Sequence, residues 1–325
     1  MIVPEYWAEA RLQTKEDGRQ ITMRRFGWSD DSQEAAEAMA QERAAEAMRR
    51  ARAGEKLDRR EFKIPYNGAD GVPIREEILA RHGDVVITRN SYGAPCLNTP
   101  DVMFLDVDFE EKAGCGLMVR IWQLLALIVV SYAIVERSWK YAAIGLAISA
   151  ALAPMVASFL KKTWIRWSGG VEKVARKRID HFLKAHPDWN LRVYRTPAGF
   201  RLLALHRTFQ SDDPEVESAF KSLDVDEMYA RMCRNQRCFR ARVGPKPWRI
   251  GIGDHLRPRP GVWPVHPDRL PLRQKWLDRY NAKAPGFASC QYVEDLGSGV
   301  IDAKVASVAK VHDELSRAHS GLTAA

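Results

Sequence analysis

The chain has 325 residues, 46% of them hydrophobic, and carries a formal net charge of +9 with a pI near 9.3. That length gives room for a sizeable core in one large domain or two ordinary ones. Five cysteines, an odd number without framework spacing, exclude a disulfide-built scaffold and agree with a reducing compartment. The mean hydropathy of −0.34 is that of a soluble protein, but it averages over one local extreme.

The opening stretch, MIVPEYWAEARLQ, is polar and has no apolar run of the kind a signal peptide needs. Arg19 to Phe26 reads as a strand. After Ser29 or Asp30 as cap, an alanine-rich helix runs to Gly54, which stands at a C′ position. YNGADGVPIREEILARHG follows as a glycine-punctuated loop and a short helix. Its Asn67-Gly68 and Asp70-Gly71 pairs are turn signals rather than a phosphate loop. Asp84 to Arg89 and Val102 to Phe109 are β-rich runs joined by the loop NSYGAPCLNTP.

In the second run, strand alternation puts Asp106 and Asp108 on one face and Leu105 and Val107 on the other. Two carboxylates about 7 Å apart on one face repel unless a cation lies between them. A divalent metal with oxygen ligands answers that need. So does a neighbouring arginine, which is the plainer reading of DxD alone.

Leu117 to Val135 contains a single charge, Arg120, and Tyr141 to Leu160 contains none. Each run is about the 20 residues needed to cross a hydrocarbon core. The turn Glu136-Arg137-Ser138-Trp139-Lys140 separates them, so a transmembrane hairpin is expected. Membrane helices tolerate the proline at Pro154. Lys112, Arg120, Lys161, Lys162 and Arg166 flank the outer ends, against Arg137 and Lys140 in the turn. The positive-inside rule therefore predicts two spans in the cell (inner) membrane with both termini cytosolic.

Beyond the hairpin, Val171 to His186 reads as a basic amphipathic helix stopped by Pro187. Two strands then surround a turn at Thr196-Pro197-Ala198-Gly199. A helix starts near Ser211-Asp212-Asp213-Pro214 and runs to about Leu223. From Met228 to Gly253 there is no acidic residue, while Arg231, Arg234, Arg237, Arg240, Arg242, Lys246 and Arg249 supply seven positive charges. Such a cluster needs an anionic partner: nucleic acid, nucleotide phosphates, lipid headgroups or the protein's own carboxylates. Cys233 and Cys238 are read as structural. The proline-rich stretch 257–271 is expected to be extended over the surface, and Asp302 to Arg317 to be a packing helix.

This order of features resembles the archaeo-eukaryotic primase superfamily, including primase-polymerases. There a DxD or DxE strand precedes a helix, a turn of the type small-G-x-x-G-x-His leads into a strand, and a later aspartate precedes a basic strand. Asp106 and Asp108 match the first motif, Thr196 to Arg201 is similar to the second, and Asp226 with the arginine run is similar to the third. The resemblance implies an RRM-like βαββ element and Mg2+ or Mn2+ held by Asp106, Asp108 and Asp226 as catalytic carboxylates. It further implies nucleotide or template phosphates contacted by Arg201, His206, Arg240, Arg242 and Lys246. The chain departs from the family in that Arg201 stands where the histidine belongs. His206 lies five residues further along, on the opposite strand face. A transmembrane hairpin between the first two motifs is a further departure.

The expected organisation is an α+β protein. A cytosolic mixed α/β domain (1–113 and 163–325) is interrupted by a transmembrane hairpin (114–162, spans about 117–135 and 141–160). Membrane lipid and a nucleotide or nucleic acid are the expected partners. Three functions follow: a non-enzymatic membrane-tethered scaffold or binding protein, a metal-dependent nucleotidyltransferase-like domain at the membrane, or a small channel component. The last ranks lowest, because the spans carry almost no polar side chains to line a path.

Overall fold

The computed structural model describes residues 1, 3–16, 19–61, 73–109, 113–259, 261 and 263–325. The turn signals at Asn67-Gly68 and Asp70-Gly71 and the charge at Lys112 lie outside these residues. The chain divides into two units. The first comprises Met1–Asp106, Pro187–Pro197 and Arg201–Ala325, and the second Val107–His186 and Ala198–Phe200.

The first unit begins with an antiparallel hairpin of β1 (Tyr6–Glu16) and β2 (Arg19–Ser29), in register from Tyr6 opposite Ser29 to Glu16 opposite Arg19. The polar opening stretch gave no strand expectation, yet it alternates. Ala8, Ala10 and Leu12 turn inward, while Glu9, Arg11 and Gln13 turn to solvent. Helix α1 (Gln33–Arg52) starts slightly later than expected, because the Ser32 hydroxyl accepts the Ala35 N–H at 3.1 Å. Its end is as expected, with Gly54 at a φ of +88°. Ala36, Ala40 and Ala44 recur at helical spacing and are buried. A Cβ on Gly27 would stand 2.2 Å from the Ala36 carbonyl oxygen, so the helix backbone seats directly on β2.

A four-stranded sheet has the order β3 (Glu77–His82), β4 (Val85–Arg89), β5 (Pro95–Thr99), β9 (Phe239–Arg242). The short helix expected after the glycine-rich loop is β3 instead. EILARH pairs antiparallel with β4 through the turn at Gly83, whose φ is +62°. The loop NSYGAPCLNTP likewise contains β5, which β9 pairs from far along the chain. These are tertiary overrides of short segments with mixed propensity.

The other four-stranded sheet has the order β10 (Gln291–Gly297), β7 (Asn190–Arg195), β8 (Gly199–Ala204), β6 (Phe104–Asp108). β6, β7 and β8 stand where the sequence predicts them. The Ala204 N–H donates to the Met103 carbonyl at 3.1 Å, and the Phe109 N–H to the Ala198 carbonyl at 2.8 Å, so β8 runs antiparallel to β6. Helix α5 (Pro214–Leu223) follows its expected cap at Asp213. The basic stretch after Asp226 forms helix α6 (Glu227–Gln236) before it becomes β9. Helix α7 (Leu270–Lys283) stacks Trp276 on Tyr280, and α8 (Ala303–Ser316) buries Val305, Val308, Ala309 and His312.

The second unit holds α2 (Cys115–Val135), α3 (Trp139–Trp167) and α4 (Val171–Ala185). Helices α2 and α3 are long and apolar enough to cross a membrane, and only 11% and 17% of their most apolar stretches are buried. They meet along small residues: Ala153 and Ala157 pack on Ile121, and a Cβ on Gly145 would stand 2.5 Å from Val129 Cγ1. Large side chains such as Leu127, Ile128, Met155 and Phe159 face outward. Pro154 lies inside α3, and the Ser158 hydroxyl donates to its carbonyl at 2.7 Å. Helix α4 has the expected amphipathic form, burying Ala175, Ile179 and Phe182.

Candidate functional site

β6 presents its side chains with period two: Leu105 and Val107 are fully buried, and Asp106 and Asp108 lie on the opposite face. Arg201, across on β8, meets Asp106 in a two-pronged pair. Its Nε donates to Oδ1 at 2.8 Å and its Nη2 to Oδ2 at 3.3 Å. The third guanidinium nitrogen donates to the Arg242 carbonyl at 2.7 Å. The Arg201 side chain is 3% exposed and that of Asp106 32%. Burial works against the Arg201 charge, but the Asp106 carboxylate outweighs it and pushes its pKa up. The cation that relieves the carboxylate pair is therefore supplied, at Asp106, by the protein itself.

Asp226 caps α6: its carboxylate accepts the Tyr229 N–H at 2.7 Å. Its own N–H points to the Asp106 carbonyl at 3.4 Å, so the two backbones are neighbours while the Asp226 side chain serves the helix. The Tyr229 hydroxyl joins the same place, bonding the carbonyls of Phe104 and Arg240 at 2.9 and 3.0 Å. Among the described residues, no group of three His, Cys, Asp or Glu side chains is arranged to hold a metal ion. With both Asp106 oxygens on Arg201, the carboxylates as placed do not fit a divalent cation.

The arginine run is split between interior and surface. Arg240 is buried and donates to Glu76 Oε2 at 2.6 Å. Thr88 donates to the same oxygen at 2.6 Å, and Asn98 in turn donates to Thr88 at 2.9 Å. Burial opposes the Arg240 charge, but Glu76 holds its pKa up. Arg242 donates to the carbonyls of Gly244 and Ala325. Lys246 lies 5.5 Å from the Trp248 ring, which meets Tyr92 edge-on at 5.3 Å. Arg231, Arg234 and Arg237 are exposed. Arg231 and Arg234 border a cavity of about 370 Å³ whose wall also carries Asp212, Asp213, Glu217 and Asp224.

His206 is not brought to Arg201. Its ring packs 4.7 Å from Trp189 and 5.5 Å from Phe209, and its Nδ1 accepts the Asn190 N–H at 3.4 Å. Burial pulls its pKa down.

Sequence reasoning missed a second cluster. Cys290 Sγ lies 4.0 Å from His312 Nε2, and His312 Nδ1 lies 3.0 Å from Asp313 Oδ1. Asp313 also accepts from the Tyr194 hydroxyl at 2.5 Å and from Arg192 at 3.1 Å. Burial would raise the Cys290 thiol, but His312 outweighs it and holds it below its ordinary range. Burial would likewise depress His312, yet Cys290 and Asp313 hold it up. Cys290 and His312 are fully buried, so the constellation has the order of a nucleophile, base and orienting acid with its thiol and imidazole enclosed among the described residues. The one sequence signal was His312, which continues the buried spacing of Val305, Val308 and Ala309. No pattern pointed to Cys290.

Neither protein-family models nor curated proteins nor solved structures contain a match to this chain.

Proposed function

We propose that this chain is an integral membrane protein with two spans, α2 and α3, and both termini in the cytosol. On this reading its α/β part is a non-catalytic module that binds an anionic partner, a nucleotide or nucleic acid, through the exposed arginines of α6. The observation that carries the non-catalytic half is the buried Arg201 holding both oxygens of Asp106. Arginine supplies a fixed positive charge and cannot shuttle protons, so the strand end is built for structure and charge rather than turnover. The outward apolar side chains of α2 and α3 support the membrane half, since water would penalise so much uncovered hydrocarbon.

A second reading, a metal-dependent nucleotidyltransferase-like domain related to primases, is favoured by one observation. β8 lies between β6 and β7, the order an RRM-like βαββ element takes. It requires Mg2+ or Mn2+ to displace Arg201 from Asp106 and to recruit Asp108 and Asp226.

Thermal melting of the detergent-solubilised chain separates the two. Under the binding-module reading, any gain in the Tm of wild type from nucleotide is the same with and without manganese and survives in Asp106→Asn/Asp108→Asn. Asp106→Asn then costs about 1–3 kcal/mol, less than a fully buried pair because Asp106 is partly exposed. A gain of several degrees with manganese and nucleotide, lost in the Asp106→Asn/Asp108→Asn variant, would replace it with the second reading.

A further inference from the structure

From Lys161 to Lys184 the chain carries eight basic residues against Glu172 and Asp180. The structure sorts them by face. With about 100° per residue, Ala175, Ile179 and Phe182 define one side of α4, and these three are buried. Lys173, Lys177 and Lys184 fall within about 30° of the opposite direction and are exposed. Only Ser168, Gly169 and Gly170 separate α4 from α3, and both glycines take positive φ, +91° and +97°. This conformation, cheap for glycine alone, breaks the helix while keeping the lysine stripe close to the end of α3. The aliphatic stem of Lys173 lies against that turn, where a Cβ on Gly169 would stand 2.6 Å from Lys173 Cδ.

The end of α3 adds two features. Lys162 and Arg166 are exposed one helical turn apart, and Trp164 and Trp167 project beside them, Trp167 at 86% exposure. Bare indoles next to cations, directly after an apolar helix, are the composition of a membrane interface, where the ring sits among headgroups and the charge meets phosphate.

We propose that the last turns of α3 and the lysine stripe of α4 form a docking surface for anionic lipid headgroups, with Trp164 and Trp167 as its interfacial anchors. The proposal rests on the reading of α2 and α3 as membrane spans. It commits to lipid rather than nucleic acid because the indoles and the adjoining apolar helix match a bilayer boundary, whereas a nucleic-acid surface has no need of an apolar neighbour. It uses residues other than the arginines of α6 and the Asp106–Arg201 pair.

The test uses the full chain in phosphatidylcholine vesicles doped with spin-labelled phosphatidylglycerol or spin-labelled phosphatidylcholine. The motionally restricted fraction of each label reports its association with the protein. Wild type is expected to favour phosphatidylglycerol by about threefold or more at low salt and to lose that preference as salt rises. The variant K162Q/R166Q/K173Q/K177Q is expected to show no preference, and K162R/K173R/K177R, which keeps every charge, to behave as wild type. Alkaline carbonate extraction of the same vesicles reads insertion separately. Release of wild type overturns the membrane reading and this inference with it. Retention of wild type without a phosphatidylglycerol preference overturns this inference alone. A preference that survives the four substitutions to glutamine places the lipid surface elsewhere and also overturns it. So does loss of single-stranded DNA binding in that variant with its lipid preference intact.

Discussion

The α2–α3 hairpin and the sheet β3-β4-β5-β9 are built in opposite senses. In the hairpin small residues such as Gly145, Ala153 and Ala157 are inside, and Leu127, Ile128 and Phe159 are outside. In the sheet the inside holds charge: Arg240, Glu76, Thr88 and Asn98 are all buried and bonded to one another. The contrast shows that hydrophobicity alone does not decide what is interior. A buried charge is tolerated where an opposite charge meets it, as Glu76 meets Arg240, and the outward apolar side chains of α2 and α3 would be tolerated if lipid replaced water, as the proposed spans require. The 2.6 Å bond from Arg240 to Glu76 exists because β9 comes back to pair with β5, bringing the cation onto a sheet that already holds the acid.

The largest expected effect breaks the charged interior. Glu76→Ala leaves Arg240 buried without its counter-charge and is expected to cost about 3–5 kcal/mol, read as a fall in Tm. The double variant Glu76→Leu/Arg240→Met is expected to lose less than Glu76→Ala alone, because a well-filled apolar pair replaces an uncompensated ion. If the double loses more, the pair contributes net stability beyond that principle.

The next test acts on the hairpin. Leu127 is 64% exposed. If its surroundings are water, Leu127→Lys changes stability by no more than about 0.5 kcal/mol. If they are hydrocarbon, it costs about 2.5–3.5 kcal/mol of insertion free energy. Carbonate extraction of membranes carrying each form reads the difference, and the proposed spans predict the larger loss.

A smaller effect concerns Asp313. Burial would raise its carboxyl, but hydrogen bonds from His312 and Tyr194 outweigh burial and hold it below the usual 3.8. A carboxylate depressed in the folded state contributes stability that is present above its unfolded value, near 3.9, and is lost as pH falls through the folded value. Asp313→Asn is therefore expected to flatten the acid limb of Tm against pH below about 4. At neutral pH it costs about 1.5–3 kcal/mol, the usual worth of hydrogen bonds to an ionised group. An unchanged acid limb would remove Asp313 from the linkage.

The parts of this protein that sequence alone determined are those written in local periodicity. The two apolar runs became α2 and α3, the alternation in FLDVD put Asp106 and Asp108 on one face, and Asp213-Pro214 started α5. Gly54 ended α1 and Pro187 followed α4 as their residue types require. Strands with weak propensity were not legible: β3 read as a helix and β5 as a loop, because each is held by a neighbour rather than by its own residues. Within the candidate site, the period of the aspartates was visible and their partner was not. Only the tertiary structure decided that Arg201 would neutralise Asp106, that Arg240 would turn inward to Glu76, that His206 would lie between Trp189 and Phe209, and that Cys290 would meet His312. Apart from the His206–Phe209 contact, each of these is a pairing of side chains distant in the chain. Periodicity sets the face on which a charge stands, but the packing of other elements decides whether that face meets water, lipid or an opposite charge.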